Sequence, residues 1–333
     1  MTIIPRDVLV TGGTGFVGAN LVRRLLADGH NVHLFTRTGR DQWRLSDIRS
    51  EVQNHSVDLW DAATVGTLVE RIRPAWVFHL ATYGAYPEQD DFTEAVRTNV
   101  EGTLNLVRAC ISTGVETFVN TGSSSEYGFK SSAPSEDDGV DPISYYAATK
   151  ASATIICRQL ARMHEVRIVT LRLYSVYGPF EEPGRFVPAL VMAGLSGSLP
   201  PLASPKIARD FVYVDDVVEA FLLAAASPAL KPGDIYNVGT GVQVTLARAV
   251  AVARKVFGLA DKPVWGSMAN RSWDTSVWIA DSTRIQEHLG WEPAHDFTSG
   301  LKLTRDWFQA HSDLSSRYDS RLLSVGQRAE DPS

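Results

Sequence analysis

The run VLVTGGTGFVGANLVRRLLADG, Val8 to Gly29, decides how this chain folds. A short apolar stretch breaks into glycines, then resumes with leucines and valines at helical spacing. Gly12, Gly15 and Gly18 each have a physical use there. The first permits a tight turn, the second lets backbone approach a pyrophosphate, and the third lets helix pack close to strand. Phe16, Val17 and Gly18, at the helix start, offer free N–H groups and a positive dipole end to phosphate oxygens. A plain tight turn is the alternative; the strand–turn–helix context near the start of the chain favours dinucleotide binding.

Outward from that turn, two periods alternate. DVLVTG, NVHLFTR, NHSVDL, AWVFHLA and TFVNTGS are short apolar runs, separated by helix-period stretches such as TVGTLVERIR and AVRTNVEGTLNLVRACISTG. Strand alternating with helix predicts an α/β fold, a doubly wound parallel sheet with helices on both faces. Residues 1–178 form the dinucleotide-binding part in this reading, with 209–240 returning to it. Segments 179–208 and 241–318, rich in Pro, Gly and scattered aromatics, are assigned to a smaller α/β C-terminal substrate lobe. Residues 319–333 are a polar tail.

Composition narrows the function classes. With 333 residues, 44% hydrophobic and 21% charged, the chain can bury a large core. A net charge of −6 argues against binding nucleic acid or a membrane surface through phosphate attraction. Cys110 and Cys157 lie in helix-like stretches with no CxxC and no histidine at ligand spacing. They read as buried apolar thiols in a reducing compartment, and no metal is expected. No apolar run reaches the length of a membrane span, and the N-terminus leads straight into a strand, so a cytoplasmic protein is expected.

The end of the second strand bears on the cofactor. An acid there accepts a hydrogen bond from the adenosine ribose and suits NAD, whereas an arginine suits the extra phosphate of NADP. Here HLFTRTGR supplies Thr36 and Arg37 and no acid, which favours NADP(H) over NAD(H). Asp58, followed by Leu59 after the third strand, can meet the adenine or cap the helix that begins in WDAATV.

A second informative stretch is ISYYAATKASAT, Ile143 to Thr154. Tyr146 and Lys150 are four apart and share a helix face, while Tyr145 looks elsewhere. A free phenol titrates near pKa ~10, too high for efficient proton transfer at neutral pH. A fixed ammonium one turn along stabilises phenolate and draws that value down.

The glycine turn, FHLA (78–81), NVEGTLNLV (99–107), GSSSEYG (122–128), YYAATK (145–150), LRLYSVYGP (171–179) and RDFVYVDDVV (209–218), in that order, resemble the extended short-chain dehydrogenase/reductases acting on nucleotide sugars. The likeness runs from Val8 to about Trp307 and implies a Rossmann sheet. It implies Tyr146 as proton donor and acceptor, and Lys150 as partner to both the tyrosine and the nicotinamide ribose. A serine should polarise the substrate oxygen. Counting back from Glu126 selects Ser124, our expectation, and counting from Gly128 selects Ser123. Glu126 is either a second acid/base or a loop-bonding residue. Leu80, Ala81 and Thr82 should line the cofactor channel, and Tyr174 and Val176 should flank the nicotinamide. Ser175 stands where many relatives carry a substrate-binding asparagine. Tyr83, Tyr86 and Arg185 are expected at the sugar, and Arg209 and Arg271 on the nucleotide diphosphate, where a guanidinium fork suits phosphate. His79 reads as a hydrogen-bonded core residue.

Reduction, epimerisation and dehydration share such a site. With Arg37 and no acid, the first expectation is an NADPH-dependent 4-keto reductase of a nucleotide-diphosphate 4-keto-6-deoxy sugar. An NAD-dependent nucleotide-sugar 4-epimerase is the alternative, and a non-catalytic dinucleotide sensor ranks below both. Helices near 94–113 and 145–163, paired across a two-fold axis in relatives, imply a homodimer.

Overall fold

The short apolar runs become strands because both of their faces are covered. In a computed structural model, which describes residues 4–39, 41–86, 89–271 and 273–318, they form one seven-stranded sheet with every pairing parallel. Its strands are β1 (Asp7–Thr11), β2 (Asn31–Thr36), β3 (Gln53–Ser56), β4 (Trp76–His79), β5 (Thr117–Ser123), β6 (Ile168–Leu173) and, later in the chain, Ile235–Val238. All four residues of β4 are buried, as are five of six in β6. The spatial order is β3-β2-β1-β4-β5-β6, then Ile235–Val238. The chain thus starts in the middle, winds outward, and re-enters on the other side of β1. That reversal opens a crevice beyond the carboxyl ends of β1 and β4.

Helices α1 (Phe16–Ala27), α2 (Ala62–Ile72), α3 (Phe92–Val96), α4 (Gly102–Thr113) and α5 (Tyr145–His164) follow their strands, with a π-helical turn at Arg97–Glu101 joining α3 to α4. One core buries Leu21, Leu25, Phe78 and Phe221 on one face of the sheet. The other buries Val65, Leu106, Cys110, Phe118 and Cys157. Both cysteines are free, buried thiols, as read from the sequence.

A smaller lobe begins one residue after β6. Strand β7 (Ser175–Tyr177) pairs parallel with β8 (Ala208–Tyr213), which pairs antiparallel with Gln243–Thr245. Helices α6 (Phe186–Leu195), Leu246–Phe257 and Phe297–Ala310 close over it around Tyr177, Phe211, Tyr213 and Phe297. The domain expectation therefore needs redrawing in detail. Residues 208–213 stay with the lobe, because Phe211 and Tyr213 enter its aromatic core while Val212 alone meets the large one. Helix α7 (Val214–Ala226) and β9 (Ile235–Val238) do return to the large sheet. So does the stretch around Ile285 and Trp291, which was assigned to the lobe; both side chains lie in the large core, and the Trp291 indole donates to the Asp216 carbonyl. The expected tail, 319–333, lies outside the described residues. Among the described residues, no helix is long and apolar enough to cross a membrane, and no cluster could hold a metal ion.

Candidate active site

The glycine turn forms a seat made of backbone. Gly12 has φ 71, and a Cβ there would lie 2.5 Å from the Ala81 nitrogen. At Gly18 a Cβ would lie 2.2 Å from the Gly12 carbonyl oxygen. Any side chain would thus fill the space into which β4's end and α1 are drawn. Gly15 is the N-cap of α1, so no side chain covers the first N–H groups of Phe16, Val17 and Gly18. This is the donor set a pyrophosphate needs, and a dinucleotide fits it. Leu80 and Ala81 close the other wall; the Leu80 N–H bonds Thr11 O, and the Ala81 N–H reaches Thr11 Oγ1. The lobe is tied in here, since Arg44 donates to Phe180 O at 2.7 Å and its other nitrogen pairs with Glu182 at 2.8 Å.

At the end of β2, Thr36 is spent on Asn54, and Arg37 is held by Glu94 of α3 at 2.6 Å. Asp58 is partly exposed and does not cap α2; Asp61 does, accepting from the Thr64 N–H. Leu59 is buried under Gly102, whose Cβ would fall 2.8 Å from the leucine's.

Beyond β5 lies the tyrosine. Ser144 caps α5 with its side chain on the Ala147 N–H, fixing where the helix starts and which tyrosine turns inward. Tyr145 is 62% exposed and stacks on Phe92, whereas Tyr146 is half-buried beneath the 81–86 loop. Burial raises the Tyr146 phenol above its ordinary value, opposed by a hydrogen bond with the Ser123 side chain and by the Arg185 guanidinium. Lys150 was expected to supply that opposition. Lys150 is 3% exposed; burial lowers its pKa, while Glu126 and Cys157 raise it. Asn99, in the π-helical turn, locks the surroundings: its amide donates to Tyr83 O and Thr149 Oγ1, and its oxygen accepts from the Tyr83 N–H and Thr82 Oγ1. His79 bonds Thr11 and Thr103, and burial lowers its pKa to about 3, so it is a neutral core residue.

The two candidate serines face different neighbours. Ser123 is the hydroxyl against Tyr146, while Ser124 lies beneath Trp278, whose indole donates to Ser124 Oγ at 3.2 Å. The cause is a capping box: Ser123 ends β5 extended and caps the 3-10 turn Ser124–Tyr127, and Glu126 bonds back to the Ser123 N–H at 2.8 Å. That turn swings Ser124 away. Glu126 itself is fully buried, and its oxygens are taken by Ser123 N–H, Thr154 Oγ1 and Arg172 Nε. Of the two roles considered for Glu126, this is the loop-bonding one. Arg172 also donates to the Tyr127 hydroxyl.

The lobe brings arginines to the far side of the cleft. Arg209, on β8, is held by Asp274 at 2.7 Å, and the Arg271 N–H bonds the same carboxylate at 2.8 Å. Arg185 sits exposed at the N-cap of α6, with the Tyr86 ring 5.8 Å away. Both Arg271 and Arg185 act on Arg209 electrostatically, so the expected cations share one field. Tyr174 is buried with no hydrogen-bond partner for its hydroxyl among the described residues, and lines a small cavity with Ser124 and Trp278. Val176 is half-buried in β7. Sequence reasoning missed Asn99, Glu94 and Trp278. The first sat within the quoted NVEGTLNLV; nothing local marked the other two.

Comparison with known proteins agrees with this geometry. A family model described as the NAD dependent epimerase/dehydratase family matches residues 8–239. A UDP-glucose 4-epimerase of Mycolicibacterium smegmatis is 35% identical over 91% of this chain and 99% of its own length. The UDP-glucose 4-epimerase of Thermotoga maritima, solved with UDP-glucose, superposes with a TM-score of 0.82 at 28% identity, covering 91% of this chain and 99% of that one. Its Thermus thermophilus counterpart, solved with NAD, gives 0.79 at 31% identity over 92% and 99%. The family match spans most of the chain and a 35% identical relative covers nearly its whole length, so this enzyme belongs to the NAD-dependent epimerase/dehydratase family.

Proposed function

We propose that the protein is an NAD-dependent 4-epimerase of UDP-hexoses. The observation that carries this reading is the Ser123 hydroxyl near enough to Tyr146 to draw its pKa down, with the adjoining Glu126 locked in an ion pair with Arg172. Gly12–Gly18, Leu80, Ala81 and Thr82 would hold NAD, with Asp58 and Leu59 toward its adenine and Tyr174 and Val176 toward its nicotinamide. NAD, when bound there, would supply reversible hydride exchange with the sugar's C4. Tyr146 takes the proton of the C4 hydroxyl and gives it back, and Ser123, in place of Ser124, donates to the same oxygen. Lys150 keeps positive charge behind the phenolate, and Arg209 and Arg271 hold the diphosphate.

Dehydration would need a base for C5 and an acid for the departing C6 hydroxyl. Glu126 is unable to serve, because all its contacts face inward. The 4-keto reductase expectation also loses its support, since the Arg37 that favoured NADPH is already paired. The relatives include UDP-glucose 4-epimerases as well as a dTDP-glucose 4,6-dehydratase of Streptomyces griseus, 30% identical over 91% of this chain; UDP-glucose and UDP-galactose are the substrates to try first, with dTDP-glucose beside them. We include a homodimer in the proposal: α5 leaves Ile155 and Met163 59% and 64% exposed, and light scattering should give twice the chain mass.

The test is proton NMR of UDP-glucose with purified protein. Appearance of UDP-galactose up to a fixed ratio, with no net change in nicotinamide absorbance, is the expected result. Stoichiometric NADPH oxidation by a 4-keto sugar would instead establish a reductase, and loss of the C6 hydroxyl a dehydratase.

A further inference from the structure

We propose that Glu94 sets the cofactor preference by occupying Arg37, so that an acid from α3 does the work of the acid missing at the end of β2. The inference rests on the NAD reading above. Thr11 is level with Phe35 in the β1–β2 register, so Arg37 stands two residues past the level of Thr11, just beyond the start of the glycine turn. A dinucleotide with its pyrophosphate on that turn puts its adenosine ribose at the end of β2. The hydroxyls nearby are engaged, Thr36 with Asn54 and Thr38 with Ser56, which leaves Arg37 as the charged group.

Arg37 is not a loose solvated side chain. Its Nη1 donates to Glu94 Oε1 at 2.6 Å, and the two side chains are 28% and 27% exposed. Glu94 is in turn positioned by its own helix. Asp91 accepts the Thr93 and Glu94 N–H groups at the start of α3, and Thr98 Oγ1 lies 3.4 Å from Glu94 Oε1.

The charge balance gives the selectivity. A 2′-phosphate facing Arg37 alone would gain an ion pair; facing Arg37 and Glu94 together, it meets a neutral pair and a like charge. A neutral 2′-hydroxyl bears no such penalty, and the second Glu94 oxygen is an acceptor of the kind that suits it. Fifty-seven residues separate the partners, so no motif at β2 records the arrangement.

Equilibrium titration of NAD+ and NADP+ into wild type, E94Q and E94Q/R37M, followed by calorimetry, tests this. Wild type should prefer NAD+. E94Q should bind NADP+ about tenfold more tightly, the size expected for a partly exposed pair, with NAD+ affinity falling no more than about threefold. Adding R37M should abolish the gain. E94A serves as a second variant, and melting curves verify that each chain folds. Wild type preferring NAD+ while E94Q and E94A leave the ratio unchanged, or a gain that survives R37M, overturns the proposal alone. Wild type preferring NADP+ overturns the NAD reading and this inference with it.

Discussion

The two halves of the cleft are built by different means. Where phosphates would lie, the walls are backbone: the Gly12–Gly18 turn, the open N-terminus of α1 and the ends of β1 and β4. Where the sugar would lie, the walls are side chains drawn from β5, α5 and β8, with Asp274 and Trp278. A backbone seat tolerates almost no change of residue but asks little of the rest of the chain. A side-chain wall tolerates change at each position yet depends on every loop being the right length.

Substitutions can break or sharpen that contrast. Y146F should lower kcat by about a thousandfold while NAD+ affinity stays within about threefold, because the phenol moves the proton and holds no phosphate; an equal loss of cofactor binding would erase the division. S123A should cost about a hundredfold in kcat, and S124A less than about fivefold. If S124A proved the worse of the two, the catalytic hydroxyl would be misassigned. In the other half, G18A pushes a methyl to 2.2 Å from the Gly12 oxygen, so NAD+ affinity should fall at least about tenfold with kcat at saturating cofactor nearly kept.

The smallest effect falls at the seam. Glu181 is buried, and one of its oxygens has no partner among the described residues; burial raises its pKa from the ordinary 4.5 to about 8, against the pull of Arg185. Between those values the folded state keeps a proton the unfolded chain has lost, so stability falls as pH climbs from 4.5 through 8. E181Q mimics the protonated form. It should melt roughly 3 °C above wild type near pH ~9, and the two should coincide near pH ~4.5. Equal melting temperatures at both pH values would mean the carboxyl is better solvated than its burial indicates.

This contrast also explains what could be read in advance. The parallel sheet, the glycine seat and the choice of Tyr146 over Tyr145 follow from local spacing, and spacing is written in the chain. The choice between Ser123 and Ser124 does not follow, because it turns on a capping box whose glutamate satisfies a backbone N–H rather than a substrate. Arg172 was hidden inside an apolar strand, LRLY, where its charge is cancelled by Glu126 from another loop. Arg37 was legible as a cation, but its ion pair was not, since its partner Glu94 lies on α3. The strand 208–213 looked like one more member of the large sheet because its alternate residues serve two different cores.

Tyr174 is the sole residue between β6 and β7, so the large sheet passes into the small one with no slack. Such a joint acts as a rivet rather than a hinge. A load placed on the small sheet by the diphosphate would be felt at once at the nicotinamide end of β6. At this joint the lobe has no free chain on which to swing, so any movement around a bound ligand would fall to its loops.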